Sequence, residues 1–163
     1  MNNTRRIAST VALLAISIWL GGLVAFGLTA PAVNPLASCA STLTGVLRQF
    51  HWVTIACAAL ALVAEVGSVV GGLPFKSVDR TRAGLLLLAA ALATFVAMRI
   101  GPSMEALYDA GTVLGVGASG TELAQLQSTA RLCGQAQVLL LSILVVLHAS
   151  ALSTQASDAS PRV

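Results

Sequence analysis

Glu65 and His148 are the residues of this sequence whose types and settings could do chemistry. Glu65 stands in Ala61-Leu62-Val63-Ala64-Glu65-Val66-Gly67, and His148 in Val145-Val146-Leu147-His148-Ala149. A charge deep in an apolar stretch is costly, so an acid placed there is paired or functional. At 1.5 Å per residue, Glu65 lies ~21 Å along a helix from His51, and His148 ~25 Å along a helix from Arg131. The two depths match, so a Glu65–His148 hydrogen bond in one half of a helical bundle is geometrically open. Such a pair could relay a proton, hold a metal ion or take a substrate amine. It could equally be a polar clamp between two helices, or His148 could simply sit at an interface.

A second polar group gathers at the opposite ends of the same stretches. It comprises Arg48, His51, Arg99, Glu105, Arg131 and Gln135, with Gln137 and Asp109 nearby. Arg99 and Arg131 are expected to pair with Glu105 and Asp109 and seat a loop over the bundle, because arginines near helix ends reach back to the interface. The functional reading of this group is a site for an anionic ligand or a lipid headgroup. Trp52 reads as an interfacial anchor.

Other chemistries are poorly supplied. Bis-histidine haem needs two histidines at one depth, and His51 and His148 belong to opposite ends. Met98, Met104 and Cys133 are soft enough for Cu(I) but lack ligand spacing. Three cysteines, Cys39, Cys57 and Cys133, give no framework. A Cys39–Cys133 disulfide is compatible with an oxidising compartment. The Gly-rich stretch 111–120 lacks the lysine and the strand-to-helix context of a phosphate loop. We therefore expect no enzyme activity, no catalytic residue, no metal and no cofactor.

The elements that must hold these residues are four long apolar runs, 7–30, 52–73, 84–100 and 138–153. A span needs about 20 mainly apolar residues to cross a ~30 Å hydrocarbon core. Only helices or closed barrels satisfy the backbone in lipid, and runs without alternation are helices. Composition agrees, with 56% hydrophobic residues, 9% charged residues and a mean hydropathy of +0.87, whereas soluble domains carry about 25% charge. The expected fold is all-α: an integral membrane four-helix bundle with antiparallel up-down topology. Residues 1–153 form one domain, with spans about 7–30, 51–73, 82–101 and 131–153, and 154–163 form a polar disordered tail. The net charge of +3 is scattered, so the lipid bilayer is the expected partner and nucleic acid is not.

Orientation follows from the basic residues of short loops. Arg5, Arg6, Lys76, Arg80, Arg82 and Arg162 share one side, and Arg48, Arg99 and Arg131 the other. The bias places both termini in the cytoplasm. A cleaved signal peptide, with Ala30-Pro31-Ala32 as its site, is the rival reading. The apolar run 7–30 exceeds the usual 7–15 residues of an h-region, which favours an uncleaved span.

Prolines set the expected breaks. Pro31 and Pro35 end the first helix, Pro74 the second and Gly101-Pro102 the third. Residues 31–49 and 74–82 are read as connections, and 102–129 as the longest loop. In that loop 103–109 is a short surface helix, and Thr121 is the N-cap of a helix leading into the fourth span. Small residues mark close helix packing: Gly21 with Gly22, Gly67 with Gly71, and Ala89 with Ala93. Whether the partner helix is in the same chain or in another stays open.

The stretch Trp19-Leu20-Gly21-Gly22-Leu23-Val24-Ala25-Phe26, followed by Ala30-Pro31-Ala32-Val33, resembles the first helix of the bacterial four-helix family related to animal transmembrane protein 205 (the DUF 4149 group). Arg99-Ile100-Gly101-Pro102-Ser103-Met104-Glu105-Ala106-Leu107 is similar to the segment after that family's third helix. The fourth helix departs from the pattern: Leu132-Cys133-Gly134-Gln135 stands where the family tends to have Leu-His-Gly. The first helix also resembles the membrane domain of copper resistance protein D. The resemblance implies a small four-span protein of the bacterial cytoplasmic membrane, with no defined activity. The expected function is a non-catalytic accessory or structural subunit, packed against other membrane subunits or forming a homodimer. The alternative is a small dimeric transporter or permeation protein for a metal ion or small cation, using Glu65 as its intramembrane acid.

Overall fold

A computed structural model describes residues 2–33, 40–70 and 77–158. The described residues are helical throughout, apart from 110–116. The helices are α1 (Asn2–Val33), α2 (Ala40–Val70), α3 (Ser77–Phe95), α4 (Gly101–Asp109) and α5 (Gly117–Asp158). A π-helical segment, Val96–Ile100, joins α3 to α4 without a break. The described chain is thus four rods, each containing a stretch long and apolar enough to span a membrane: Ile7–Leu28, Arg48–Gly67, Asp79–Asp109 and Gly117–Ser153.

The first two stretches, of 22 and 20 residues, match the hydrocarbon thickness. The last two, of 31 and 37 residues, are ~46 Å and ~55 Å long at 1.5 Å per residue. They outrun it, so α4 and the start of α5 extend past the apolar belt as a helical hairpin. The seven-residue turn 110–116 closes it. Its glycines answer to backbone geometry: Gly111, Gly115 and Gly117 have φ of +71°, +75° and +70°, in the left-handed region. At Gly120 a side chain would meet the Val113 carbonyl.

The rods pack in the order α1, α2, α3, α5 and back to α1, so that α2 and α5 face each other across a diagonal. Phe26 near the end of α1 stacks on Phe50 near the start of α2, with ring centroids 5.7 Å apart. The core is built of small and large residues interleaved. Ala12, Ala15, Ala58, Ala61, Ala89 and Ala93 let the helices approach, and Ile16, Trp19, Leu86, Leu141 and Leu144 fill the space between them. Large side chains such as Leu14, Ile18, Val63, Leu88, Leu139 and Val146 are exposed on the outside, the pattern expected where lipid rather than water is the solvent. Hydroxyls in the spans bond back to carbonyls four residues earlier: Thr54 to Phe50, Thr94 to Ala90 and Ser142 to Val138.

Several expected boundaries move. α1 runs two residues past Pro31, to Val33. Proline's own φ is helical and one lost backbone bond near a helix end does not stop the chain. Pro35 and Pro74 lie outside the described residues. α2 starts at Ala40 and α3 at Ser77, so much of the expected connections is helix. Gly101-Pro102 does not end the third helix. Pro102 has no N–H and its ring would strike the carbonyl four residues back. The π segment absorbs this: Gly101 stays right-handed and its N–H donates to the Val96 carbonyl, five residues earlier. Thr121 is not an N-cap. It lies inside α5, with its hydroxyl donating to the Gly117 carbonyl at 3.0 Å.

Candidate functional site

The end of α2, the start of α3 and the last part of α5 bring four ionisable side chains together. His148 is fully buried, at 0% exposure. Its Nδ1 lies 2.9 Å from the Leu144 carbonyl and its Nε2 2.7 Å from Glu65 Oε1. Arg82 Nε lies 3.8 Å from the same Glu65 oxygen, and Arg82 Nη2 donates to Asp79 Oδ1 at 3.0 Å. Glu65 and Arg82 are buried, at 7% and 3% exposure. Among the described side chains of α1, Ser9 is the buried polar one. The structure therefore brings Glu65 and His148 together, as their matched depths suggested.

Two members of this cluster were not foreseen. Arg82 and Asp79 read as loop residues as long as the third helix is taken to start near residue 82. Helix α3 instead begins at Ser77, and Asp79-x-x-Arg82 places the two on one face, three residues apart. That spacing ahead of an apolar run was the available signal. Asp79, Glu65, Arg82 and His148 thus join acids and bases of three helices in one set of contacts. Arg82 Nε is nevertheless buried without a hydrogen-bond partner, as is Trp19 Nε1 in the core.

The opposite end is looser. Arg48 on α2 pairs with Glu105 on α4, their side chains 66% and 30% exposed. Gln127 on α5 donates to the Tyr108 hydroxyl at 2.6 Å, tying the hairpin together. His51 is half-buried, and its Cε1 lies 3.1 Å from where a Cβ at position 101 would sit, so Gly101 makes room for the ring. Arg99, Arg131 and Gln135 are exposed. The expected pairing of Arg99 and Arg131 with Glu105 and Asp109 is replaced by Arg48–Glu105. The unbroken helix through α4 turns Glu105 toward α2 instead of folding it back as a loop.

The small-residue positions divide. Ala89 and Ala93 are buried in the core. Gly22 lies under Phe50, whose Cε2 is 2.5 Å from where a Cβ would be. Gly21 and Gly67 are exposed, with nothing within 4 Å of that position. Gly71 lies outside the described residues, as does Cys39 and with it the Cys39–Cys133 disulfide. Cys57 and Cys133 are free thiols. Among the described residues no group of three or more His, Cys, Asp or Glu is placed to hold a metal ion.

Compared with known proteins, the chain matches no family model, no curated protein and no solved structure. The geometry alone defines the class. Four apolar helices of spanning length around a buried ionisable cluster make a multi-pass membrane protein.

Proposed function

We propose that this chain is a non-catalytic accessory or structural subunit of a larger membrane complex. We place it in the bacterial cytoplasmic membrane as an up-and-down bundle with both termini in the cytoplasm. One observation carries the reading. The buried ionisable groups Glu65, Arg82 and His148 are engaged with one another and with Asp79 inside the chain, whereas Gly21, Gly27, Gly67 and Gly84 are exposed with nothing within 4 Å of a Cβ position. Glycine weakens a helix, and its gain in a membrane is close approach by a neighbouring helix. Among the described residues no helix takes up that approach at these four positions. The orientation rests on the distribution of Lys and Arg, and the four-span class accords with the resemblance of 19–33 to the family related to transmembrane protein 205.

The test is native mass spectrometry of the chain released from its own membrane, with wild type beside Gly21→Leu and Gly67→Leu. A subunit leaves in fixed proportion with other chains, and one of the two substitutions abolishes that while the isolated chain stays folded. A protein released alone or only as a homodimer overturns the subunit reading. Transport through a dimer, with Glu65 as the working acid, then becomes the reading to pursue. Loss of cation flux in Glu65→Gln without loss of assembly identifies it.

A further inference from the structure

Three arginines share one level of the bundle. Arg48 stands 17 residues from Glu65 on α2, Arg99 stands 17 residues from Arg82 along α3 and the π segment, and Arg131 stands 17 residues from His148 on α5. Glu65, Arg82 and His148 meet in one set of contacts. Equal steps along neighbouring rods from that meeting point, all toward the α4–α5 hairpin, end at one depth, ~26 Å away at 1.5 Å per residue. That is close to the ~30 Å of a hydrocarbon core. The arginines therefore mark the membrane boundary at the hairpin end. Trp52, one turn inside Arg48 and 69% exposed, stands where interfacial tryptophans anchor a span.

All three arginines are exposed, but they are not alike. Arg48 is held by Glu105. The guanidinium groups of Arg99 and Arg131 have no ion-pair or hydrogen-bond partner among the described residues. The acids of their own rods are remote. Asp109 lies ten residues beyond Arg99 and Glu122 nine residues before Arg131, ~15 Å and ~14 Å along the helix. Salt screens exposed charges beyond ~8 Å. Glu105 is nearer to Arg99 but is engaged by Arg48. Two cations without anions thus stand on the outside of the bundle at the level of the phospholipid phosphates. The surface next to them is apolar: Phe95 and Met98 are exposed beside Arg99, and Leu132 and Leu139 beside Arg131. A phosphate on the guanidinium fork, which can donate two hydrogen bonds to its oxygens, and acyl chains along the apolar side chains match that arrangement.

We propose that Arg99 and Arg131 are headgroup contacts for anionic phospholipids, and that the bundle gathers such lipids beside α3 and α5 in the leaflet at the hairpin end. A zwitterionic lipid carries the same phosphate, but its ammonium group offsets the attraction that two unpaired arginines exert on a net negative headgroup. The inference concerns the chain itself and stands whether or not it is a subunit of a complex.

The test places the full chain in nanodiscs of equal parts phosphatidylglycerol and phosphatidylcholine and identifies the lipids that leave with it in native mass spectrometry. Wild type is expected to retain phosphatidylglycerol in severalfold excess. An arginine near an anionic surface contributes about fivefold. Arg99→Gln and Arg131→Gln therefore each cut the excess by up to that factor, and the double variant returns the ratio to that of the disc. Arg99→Lys combined with Arg131→Lys keeps most of the excess, because the charge stays. Equal retention of the two lipids by wild type overturns the proposal. So does an excess that survives in the double Gln variant, which assigns the preference to basic residues of the opposite end such as Arg80. Should the double variant not fold, the wild-type ratio and the two single variants decide it.

Discussion

The two ends of the bundle use the same residue types to different effect. At one end an arginine, two acids and a histidine are drawn together from three helices, with Arg82 at 3% exposure, Glu65 at 7% and His148 at 0%. At the other, Arg48 and Glu105 make an ion pair with side chains 66% and 30% exposed. Depth separates them. Water and salt screen the exposed pair and leave it worth little. The buried groups have no such screen, so each depends on its partners being present. The buried end is therefore where a single change is felt across the bundle, and the exposed end is where the hairpin of α4 and α5 is steadied.

The contrast can be broken by substitution. Arg82→Met is expected to have the largest effect. It removes the cation that pairs with Asp79 and stands beside Glu65, and costs about 3–5 kcal/mol, the range for stripping one partner from a buried pair. Unfolding in mixed detergent micelles measures it, and a loss below about 1 kcal/mol would mean that the buried end is no more critical than the exposed one. Gly22→Val follows at about 1–3 kcal/mol, because its Cβ would sit 2.5 Å from Phe50 Cε2. Gly21→Ala, in open space one residue earlier, is the control and should leave the isolated chain as stable as wild type. Arg48→Gln comes next, with a loss of at most about 1 kcal/mol; a larger loss would show that the exposed pair is shielded from water. Trp19→Phe should change least. It deletes a buried N–H without a partner, worth about 1–3 kcal/mol in desolvation, against a comparable loss of packed ring. Near-invariant unfolding is the expected result.

How much of this was legible in the sequence depends on the length scale of the signal. Four runs of apolar residues force four helices, because the bilayer leaves the backbone no alternative. The Glu65–His148 contact was legible too, since depth along a helix is simple arithmetic. Helix ends were not. Gly101-Pro102 carries a strong local signal for a break, yet a π turn lets the helix pass through. Misplacing the start of α3 then hid Asp79 and Arg82, because residues assigned to a loop are not tested for a shared face. The partner of Glu105 was missed for the same reason: a loop acid can reach any neighbour, whereas an acid on a continued helix has its direction set.

The π segment at Val96–Ile100 also acts as a phase shifter. One surplus residue in a helix turns everything beyond it by about 100°, the angle between successive residues at 3.6 per turn. The faces that α4 offers to α2 and α5 are those that this rotation selects. Deleting one of the five residues would leave Glu105 on Arg48 and Tyr108 on Gln127, whereas winding 96–100 as regular α-helix with all five kept, as Pro102→Ala would favour, would swing both off together. The hairpin would then be detached by a change that removes none of the side chains holding it.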